Sequence, residues 1–190
     1  MVWLLALGVL LVLIPANGEL ELESNRQQFY FRIETELLYF ENTNNSLATG
    51  KRCDVYSKCD PVFYGYLDLE KPDSPWPGSI RRLQDHQYLS GHKNIDSAKL
   101  NHAVTKDLCG GLLSRINLRV EVFDHDLFTK SDLIEQYECP FVPDLVGANN
   151  HTALWSAHLQ CRTLHQPQQH KLAYRWRVYR ITPHACGLKT

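Results

Sequence analysis

The stretch INLRVEVFDHDLFTKSD, residues 116–132, contains the clearest strand pattern of the chain and the loop that follows it. Apolar side chains recur at every second position from Ile116 to Val122, which is the period of a half-buried β-strand. Aspartates follow at Asp124, Asp126 and Asp132. Because these acidic residues come directly after a strand, we expect them to lie in a loop at one end of a β-sheet.

The same two-residue period recurs along the rest of the chain. Many short strands with polar connections are typical of a β-sandwich, so we predict an all-β, antiparallel fold. The further predicted strands are residues 28–40, 62–69, 137–142, 153–161 and 172–181. The region 70–112 lacks this pattern, and we predict that it is an irregular and helical insertion.

The predicted insertion has two parts. Residues 70–91 are rich in proline and polar side chains and show no strand period. Asp96 or Ser97 can cap a short helix that runs to Leu108, and Gly110-Gly111 supplies a stop signal directly after it. We therefore expect one helix in an otherwise all-β domain.

The chain begins with a continuous apolar run, residues 2–14, followed by Pro15-Ala16-Asn17-Gly18. This run is too short to cross the roughly 30 Å hydrocarbon core of a bilayer as a helix. It is typical of a signal peptide that is cleaved before Glu19. We expect residues 1–18 to be removed, residues 19–190 to form one secreted, extracellular domain, and no transmembrane segment to be present.

Cysteine content and glycosylation sequons support an exported domain. An even number of cysteines in an exported chain predicts up to three disulfides, and their pairing stays open among fifteen connectivities. The six are Cys53, Cys59, Cys109, Cys139, Cys161 and Cys186. Asn44 and Asn150 begin sequons for glycosylation.

The formal net charge of −1 gives no global attraction for nucleic acid, so we expect no nucleic-acid partner.

A second acidic segment lies upstream, where Asp54 and Asp60 are six residues apart. Calcium takes six to eight oxygen ligands, and carboxylates on loops supply them well. Five carboxylates in two loops would repel one another unless a cation neutralised them. The alternative is that these aspartates occur where they do because their side chains favour turns.

The two acidic segments resemble the calcium loops of C2 domains. Asp54-x5-Asp60-Pro61 is similar to the first loop, and Asp124-x-Asp126-x5-Asp132 is similar to the third. The resemblance implies a C2-type β-sandwich that binds Ca²⁺ through all five aspartates. It departs from the usual pattern at Asp132-Leu133-Ile134, which lacks the glycine of that loop, and in the region 70–112.

The resemblance also implies a membrane contact. Phe128 and Lys130 fall where many C2 domains place an apolar residue that enters the lipid headgroup region and a basic residue beside it. The segment 171–180 has a basic character of its own, with Arg175 and Arg177 on one parity. That segment is either a face for phospholipid headgroups or a solvated outer face.

Other segments resemble the N-terminal module of Notch ligands of the Delta, Serrate and Jagged type. These are Lys51-Arg52-Cys53-Asp54, the strand 117–123 and the strand 172–178. The resemblance implies an extracellular module that binds a cell-surface protein.

Two functions therefore stay open. The first is calcium-dependent binding to an anionic phospholipid membrane surface, and the alternative is protein–protein interaction with structural calcium or none. We expect no enzyme, because the sequence has no Gly-x-Ser-x-Gly elbow. Zinc is not expected either, because the nine histidines do not have the spacing of a zinc site.

Overall fold

The computed structural model describes residues 29–126 and 130–188 and contains two β-sheets packed face to face. The strands are β1 Tyr30–Asn42, β2 Pro61–Asp68, β3 Gln87–Gly91, β4 Ser97–Cys109, β5 Ile116–Asp124, β6 Asp132–Phe141, β7 Val146–Gly147, β8 Leu159–Gln160, β9 Arg162–Thr163 and β10 His170–Arg180. Short 3-10 turns occur at Thr43–Asn45, Leu83–Asp85 and Pro183–Cys186. The predicted signal peptide lies outside the described residues. Within those residues, no helix has the length and apolar character needed to cross a membrane.

One sheet has the order β4-β1-β10-β7, with β8 also paired to β10, and the other has the order β3-β2-β5-β6-β9. The pairings are antiparallel except for the short parallel bridge between β7 and β10. Alternate residues of β1, such as Ile33 and Leu37, are fully buried and belong to the same core as Leu118 and Val120 of β5. The predicted β-sandwich is therefore confirmed.

The predicted helix before Gly110 is wrong, because Ser97–Cys109 forms β4. This strand pairs with β1 along most of its length, and Val104 lies opposite Thr35. The apolar residues Leu100, Val104 and Leu108 are four apart, a spacing that suits one face of a strand as well as one face of a helix. Gly110 and Gly111 have φ angles of 86° and 128° and end the strand.

The region 70–112 is not an insertion, since it contains β3 and β4, which are neighbours of β2 and β1 respectively. Its irregular part is short. We call residues 69–82 the strap, because this segment folds back over the outer face of β5. The strap buries that face, so β5 is buried on both sides, although its sequence alternates like a half-exposed strand.

Arg119 of β5 holds the strap in place and is fully buried. Its Nε donates to Asp68 Oδ2 at 2.9 Å and its Nη1 to Glu138 Oε1 at 2.8 Å. Its Nη2 donates to the backbone carbonyls of Lys71 at 3.0 Å and Ser74 at 2.7 Å. One guanidinium therefore ties two strands of the sheet to the backbone of the strap.

Gly78 lets the strap close over this network. Its φ is +79°, and a Cβ at this position would lie 2.2 Å from Asp68 Oδ2 and 2.4 Å from Arg119 Nε. A larger residue would therefore collide with the buried ion pair and would also be strained in its backbone.

The predicted strand 153–161 is confirmed only at Leu159–Gln160. The preceding segment instead crosses the outer face of β10, where the Trp155 ring lies 4.6 Å from the guanidinium carbon of Arg175 and 4.7 Å from that of Arg177. The two arginines also pair across the sheet with glutamates of β1. This face of the sheet is half-buried and balanced in charge, so it is neither a free basic face nor a simple solvated one.

All six cysteines are paired, so the predicted three disulfides are confirmed. The bridges are Cys53–Cys59, Cys109–Cys186 and Cys139–Cys161. Cys53–Cys59 closes a small loop before β2, whereas Cys109–Cys186 joins the end of β4 to the last turn of the described chain.

Candidate metal centre

Three connections meet at one end of the sandwich, and strand pairing places them together. Pro61 at the start of β2 lies opposite Asp124 at the end of β5. The backbone N–H of His125 donates to the carbonyl of Asp60 at 3.0 Å. The turn between β3 and β4 joins them through the N–H of Ile95, which donates to the carbonyl of Cys59 at 3.0 Å.

Carboxylate oxygens of Asp54, Asp124 and Asp126 lie within 4.8 Å of one another at this end. Calcium–oxygen bonds are 2.3–2.6 Å long, so two oxygens on opposite sides of one ion are separated by about this distance. The donor set consists of oxygens only, which suits a hard cation such as calcium. These three residues fit the predicted ion.

The environment of Asp124 favours a cation. Asp124 is 2 % exposed, and its carboxylate accepts a hydrogen bond from the N–H of Asp60 at 2.6 Å. Burial raises the pKa of Asp124 to about 6, and repulsion from the carboxylates of Asp54, Asp126 and Asp60 contributes to the rise, while the hydrogen bond opposes it. A bound cation would remove both the repulsion and much of the cost of burying this charge.

The other two predicted ligands lie nearby but outside this three-residue cluster. Asp60 Oδ1 accepts a hydrogen bond from the N–H of Asn94 at 2.6 Å, and its own N–H supports Asp124. Asp132 is exposed at the start of β6, opposite Asp124 in the strand register. The structure therefore brings three of the five predicted aspartates together and places two beside them.

Sequence reasoning missed Asn94, which organises the first acidic loop. Its φ is +54°, and its Oδ1 accepts a hydrogen bond from the N–H of Lys58 at 2.8 Å. The neighbouring Asp96 forms an ion pair with Lys58 at 2.7 Å, which lowers the pKa of Asp96. An asparagine is a turn signal, but no strand was predicted on either side of Asn94, because the segment after it was predicted as a helix.

The membrane contact predicted at Phe128 lies outside the described residues, and Lys130 is exposed at the start of the return to β6. An exposed apolar pair in the other acidic loop was not anticipated. Val55 and Tyr56, within the loop closed by Cys53–Cys59, are 76 % and 100 % exposed. They follow Asp54 directly, so an apolar tip lies beside the acidic cluster.

A Ser–His–Glu arrangement occurs elsewhere at the same end of the sandwich. Ser46 Oγ lies 3.0 Å from His170 Nε2, and His170 Nδ1 lies 3.0 Å from Glu135 Oε2. Burial raises the pKa of Glu135, but the hydrogen bonds from His170 and from backbone N–H groups outweigh it and lower the pKa overall. Ser46 is 5 % exposed and His170 is 1 % exposed, so both side chains are buried. This chain of polar groups links the turn after β1 to β6 and β10.

Comparison with known proteins supports the fold. No protein-family model matches this sequence, and no curated protein matches it. The chain is similar to the crystal structure of a C2 domain protein from Ramazzottius varieornatus, with 26% identity, a TM-score of 0.76 and coverage of 86% of this chain and 96% of that one. The chain therefore has a C2 fold, as the sequence resemblance implied.

Two further solved structures share the fold at lower identity. Drosophila C2-DSL-EGF1 has 15% identity, a TM-score of 0.52 and coverage of 78% of this chain and 67% of that one, in agreement with the resemblance to Notch-ligand N-terminal modules. Human GIVD cytosolic phospholipase A2 has 12% identity, a TM-score of 0.50 and coverage of 82% of this chain. This chain spans 18% of that enzyme.

Proposed function

We propose that this chain is a secreted C2 module that binds calcium through Asp54, Asp124 and Asp126 and uses the bound ion to attach to anionic phospholipid surfaces. The observation that carries the proposal is the carboxylate cluster, in which a buried Asp124 lies within 4.8 Å of two other acidic ligands. Asp60, whose N–H supports Asp124, and Asp132, which lies opposite Asp124 in the strand register, are proposed to complete the oxygen shell.

The attachment to lipid follows from a change of charge. Without an ion, the acidic cluster repels anionic headgroups, whereas bound calcium bridges carboxylates to lipid phosphates. Val55 and Tyr56 extend beside the cluster, and tyrosine rings favour the interface between headgroups and water. The apolar tip and the ion would therefore contact a membrane from the same end of the sandwich, together with Lys130 and Phe128.

Secretion is part of this proposal. Three disulfides indicate an oxidising compartment, and the apolar run in residues 1–18 is proposed as the signal that directs the chain there. Asn44 and Asn150 are both exposed, so both proposed glycosylation sites are accessible.

Co-sedimentation with vesicles of phosphatidylcholine and phosphatidylserine tests the proposal. We expect sedimentation that requires calcium and is lost in Asp126→Asn, whereas Asp144→Asn, an exposed aspartate after β6, should behave as wild type. Sedimentation that is equal with calcium and with a chelator would contradict the proposal.

The alternative is a protein-interaction module that binds a cell-surface protein. The similarity to Drosophila C2-DSL-EGF1 favours it, and calcium would then stabilise the loops without bridging to lipid. Calorimetric titration separates the two functions. Heat of calcium binding that is unchanged by vesicles, with no sedimentation, supports the interaction module.

A further inference from the structure

A cavity of about 370 Å³ lies beside the acidic cluster. The side chains on which its chemistry depends come from β2, from β3 and the turn after it, and from the end of β5. They are Asp60, Tyr64, Tyr88, His92, Lys93 and His125. Asp60 lines this cavity and also contributes to the electrostatic environment of Asp124, so the cavity and the proposed cation site share a wall.

Among the residues that the structure describes, most of the polar groups that line the cavity are donors without a hydrogen-bond partner. Within residues 29–126 and 130–188, the side chains of Lys93 and His125 form no hydrogen bond or ion pair, and neither do the hydroxyls of Tyr64 and Tyr88. The ring of His92 lies 2.9 Å from Ser90 Oγ and packs edge to face against Phe63, with the ring centroids 6.2 Å apart. An ammonium, an imidazole and two phenols thus face one space in which an acceptor can satisfy several of them.

The walls of the cavity are held in place by packing. The rings of Tyr64 and Tyr88 meet edge to face with their centroids 5.8 Å apart, although Tyr88 is 57 % exposed. A Cβ on Gly91 would lie 2.8 Å from the hydroxyl oxygen of Tyr88, so this tyrosine folds over the backbone at a residue without a side chain. The tyrosine thus lies at the mouth of the cavity, against the ring of Tyr64.

The charge of the cavity selects the ligand. The ammonium of Lys93 favours an anion, to which the imidazoles can donate N–H groups, and Asp60, the acid among the lining residues that the structure describes, already accepts a hydrogen bond from the N–H of Asn94. A phosphate monoester has three terminal oxygens that can accept from several donors at once, whereas a carboxylate has two. A neutral sugar would leave the ammonium of Lys93 without a counter-charge.

We propose that this cavity binds a phosphate monoester, with Lys93 and His125 donating to the phosphate oxygens and the two tyrosines enclosing the alcohol to which the phosphate is attached. The inference deepens the proposed function, and one part of it, the effect of calcium on phosphate binding, rests on that function. A cation held by Asp54, Asp124 and Asp126 would offset the charge of Asp60 and strengthen binding. The phosphate could belong to a lipid headgroup or to a soluble ester.

Titration of the intact protein with glycerol phosphate, in the presence and absence of calcium, tests the cavity. We expect Lys93→Gln to weaken binding about tenfold, the usual effect of losing one charge-assisted contact. Lys99→Gln changes an exposed lysine of β4 outside the cavity and should bind as wild type. Both lysines are exposed, so neither change should disturb folding, and calcium affinity should be equal in all three proteins.

The outcomes separate the cavity from the cation site. Calcium binding without any binding of glycerol phosphate, or an equal effect of the two lysine variants, would overturn the cavity proposal and leave the calcium proposal intact. Phosphate binding that depends on Lys93 but not on calcium would support the proposed phosphate site. It would contradict the proposed strengthening of that site by a bound cation. Vesicles that contain phosphatidic acid, compared with vesicles that contain phosphatidylserine, identify the source, since only phosphatidic acid is a monoester.

Discussion

The backbone N–H of Asp60 donates a 2.6 Å hydrogen bond to the Oδ1 of Asp124, a residue 64 positions further along the chain. Both residues were expected to act through their carboxylates. The structure gives Asp60 a second role, because its backbone orients the most buried acid of the cluster. The hydrogen bond also ties the start of β2 to the end of β5, so the two acidic segments form one site.

Replacement of Asp124 with asparagine should have opposite effects on binding and on stability. We expect Asp124→Asn to weaken calcium binding at least about tenfold, since a central ligand loses its charge. The calcium-free variant should be more stable than wild type by roughly 1–2 kcal/mol, because a buried, repelled carboxylate is gone. Urea unfolding in chelator measures the second effect. Equal or lower stability of the variant would contradict this account.

The raised pKa of Asp124 predicts competition between protons and calcium. Below the value of about 6, the carboxyl takes up a proton that calcium must displace, so apparent affinity should fall about tenfold for each further pH unit. In chelator the folded state binds this proton more tightly than the unfolded state does. The contribution of Asp124 to the free energy of unfolding, taken as the difference between wild type and Asp124→Asn, should therefore decrease as the pH rises from about 4 to about 6. Calorimetry across this range measures the first effect and urea unfolding the second.

Arg119→Met should destabilise the fold by about 3–5 kcal/mol, because Asp68 and Glu138 would be left buried without a counter-charge. Hydrogen bonds to Asp68 outweigh its burial and lower its pKa. Its contribution to stability is therefore present at neutral pH and is lost as the pH falls below about 4. Arg115→Met is the matched control, since Arg115 is half exposed and pairs with an exposed Asp73, and it should cost less than about 1 kcal/mol. Equal unfolding midpoints in urea for the two variants would argue against the network.

Removal of the Cys53–Cys59 bridge should weaken calcium binding as well as stability. Opening this small loop is expected to cost about 2 kcal/mol of stability and to release Asp54 from its position. The double change Cys109→Ser and Cys186→Ser opens a bridge at the other end of β4 and should lower stability while calcium affinity is unchanged. Calcium titration of both variants makes the comparison, and equal losses of affinity would show that the effect is not local.

The double change Val55→Ser and Tyr56→Ser should reduce attachment to vesicles and leave calcium affinity unchanged. Both side chains are exposed, so folding should not be affected. Leu112→Ser removes an apolar side chain that is 82 % exposed in the connection between β4 and β5, away from the acidic cluster, and should attach normally. Vesicle sedimentation of the three proteins distinguishes an effect of the tip from a general loss of apolar surface.

Sequence reasoning succeeded where the determinants are local. The alternation from Ile116 to Val122 can be recognised from consecutive residues of one strand. Because the aspartates come directly after this strand in the chain, their location in a loop at one end of the sheet could be predicted as well. It failed for β4, whose apolar residues, four apart, fit both kinds of secondary structure until pairing with β1 decided between them. The burial of Arg119 could not be anticipated either, because it depends on a strap from a distant part of the chain.

The way in which Arg119 holds the strap determines which substitutions in the strap this fold can tolerate. Arg119 contacts the carbonyls of Lys71 and Ser74, and a carbonyl is the same whatever side chain its residue carries. Lys71 and Ser74 are therefore free to diversify without loosening the attachment, provided that Gly78 is kept. Related chains can be expected to differ most on this surface while preserving the arginine and its two acids, so new specificities can evolve there at little risk to folding.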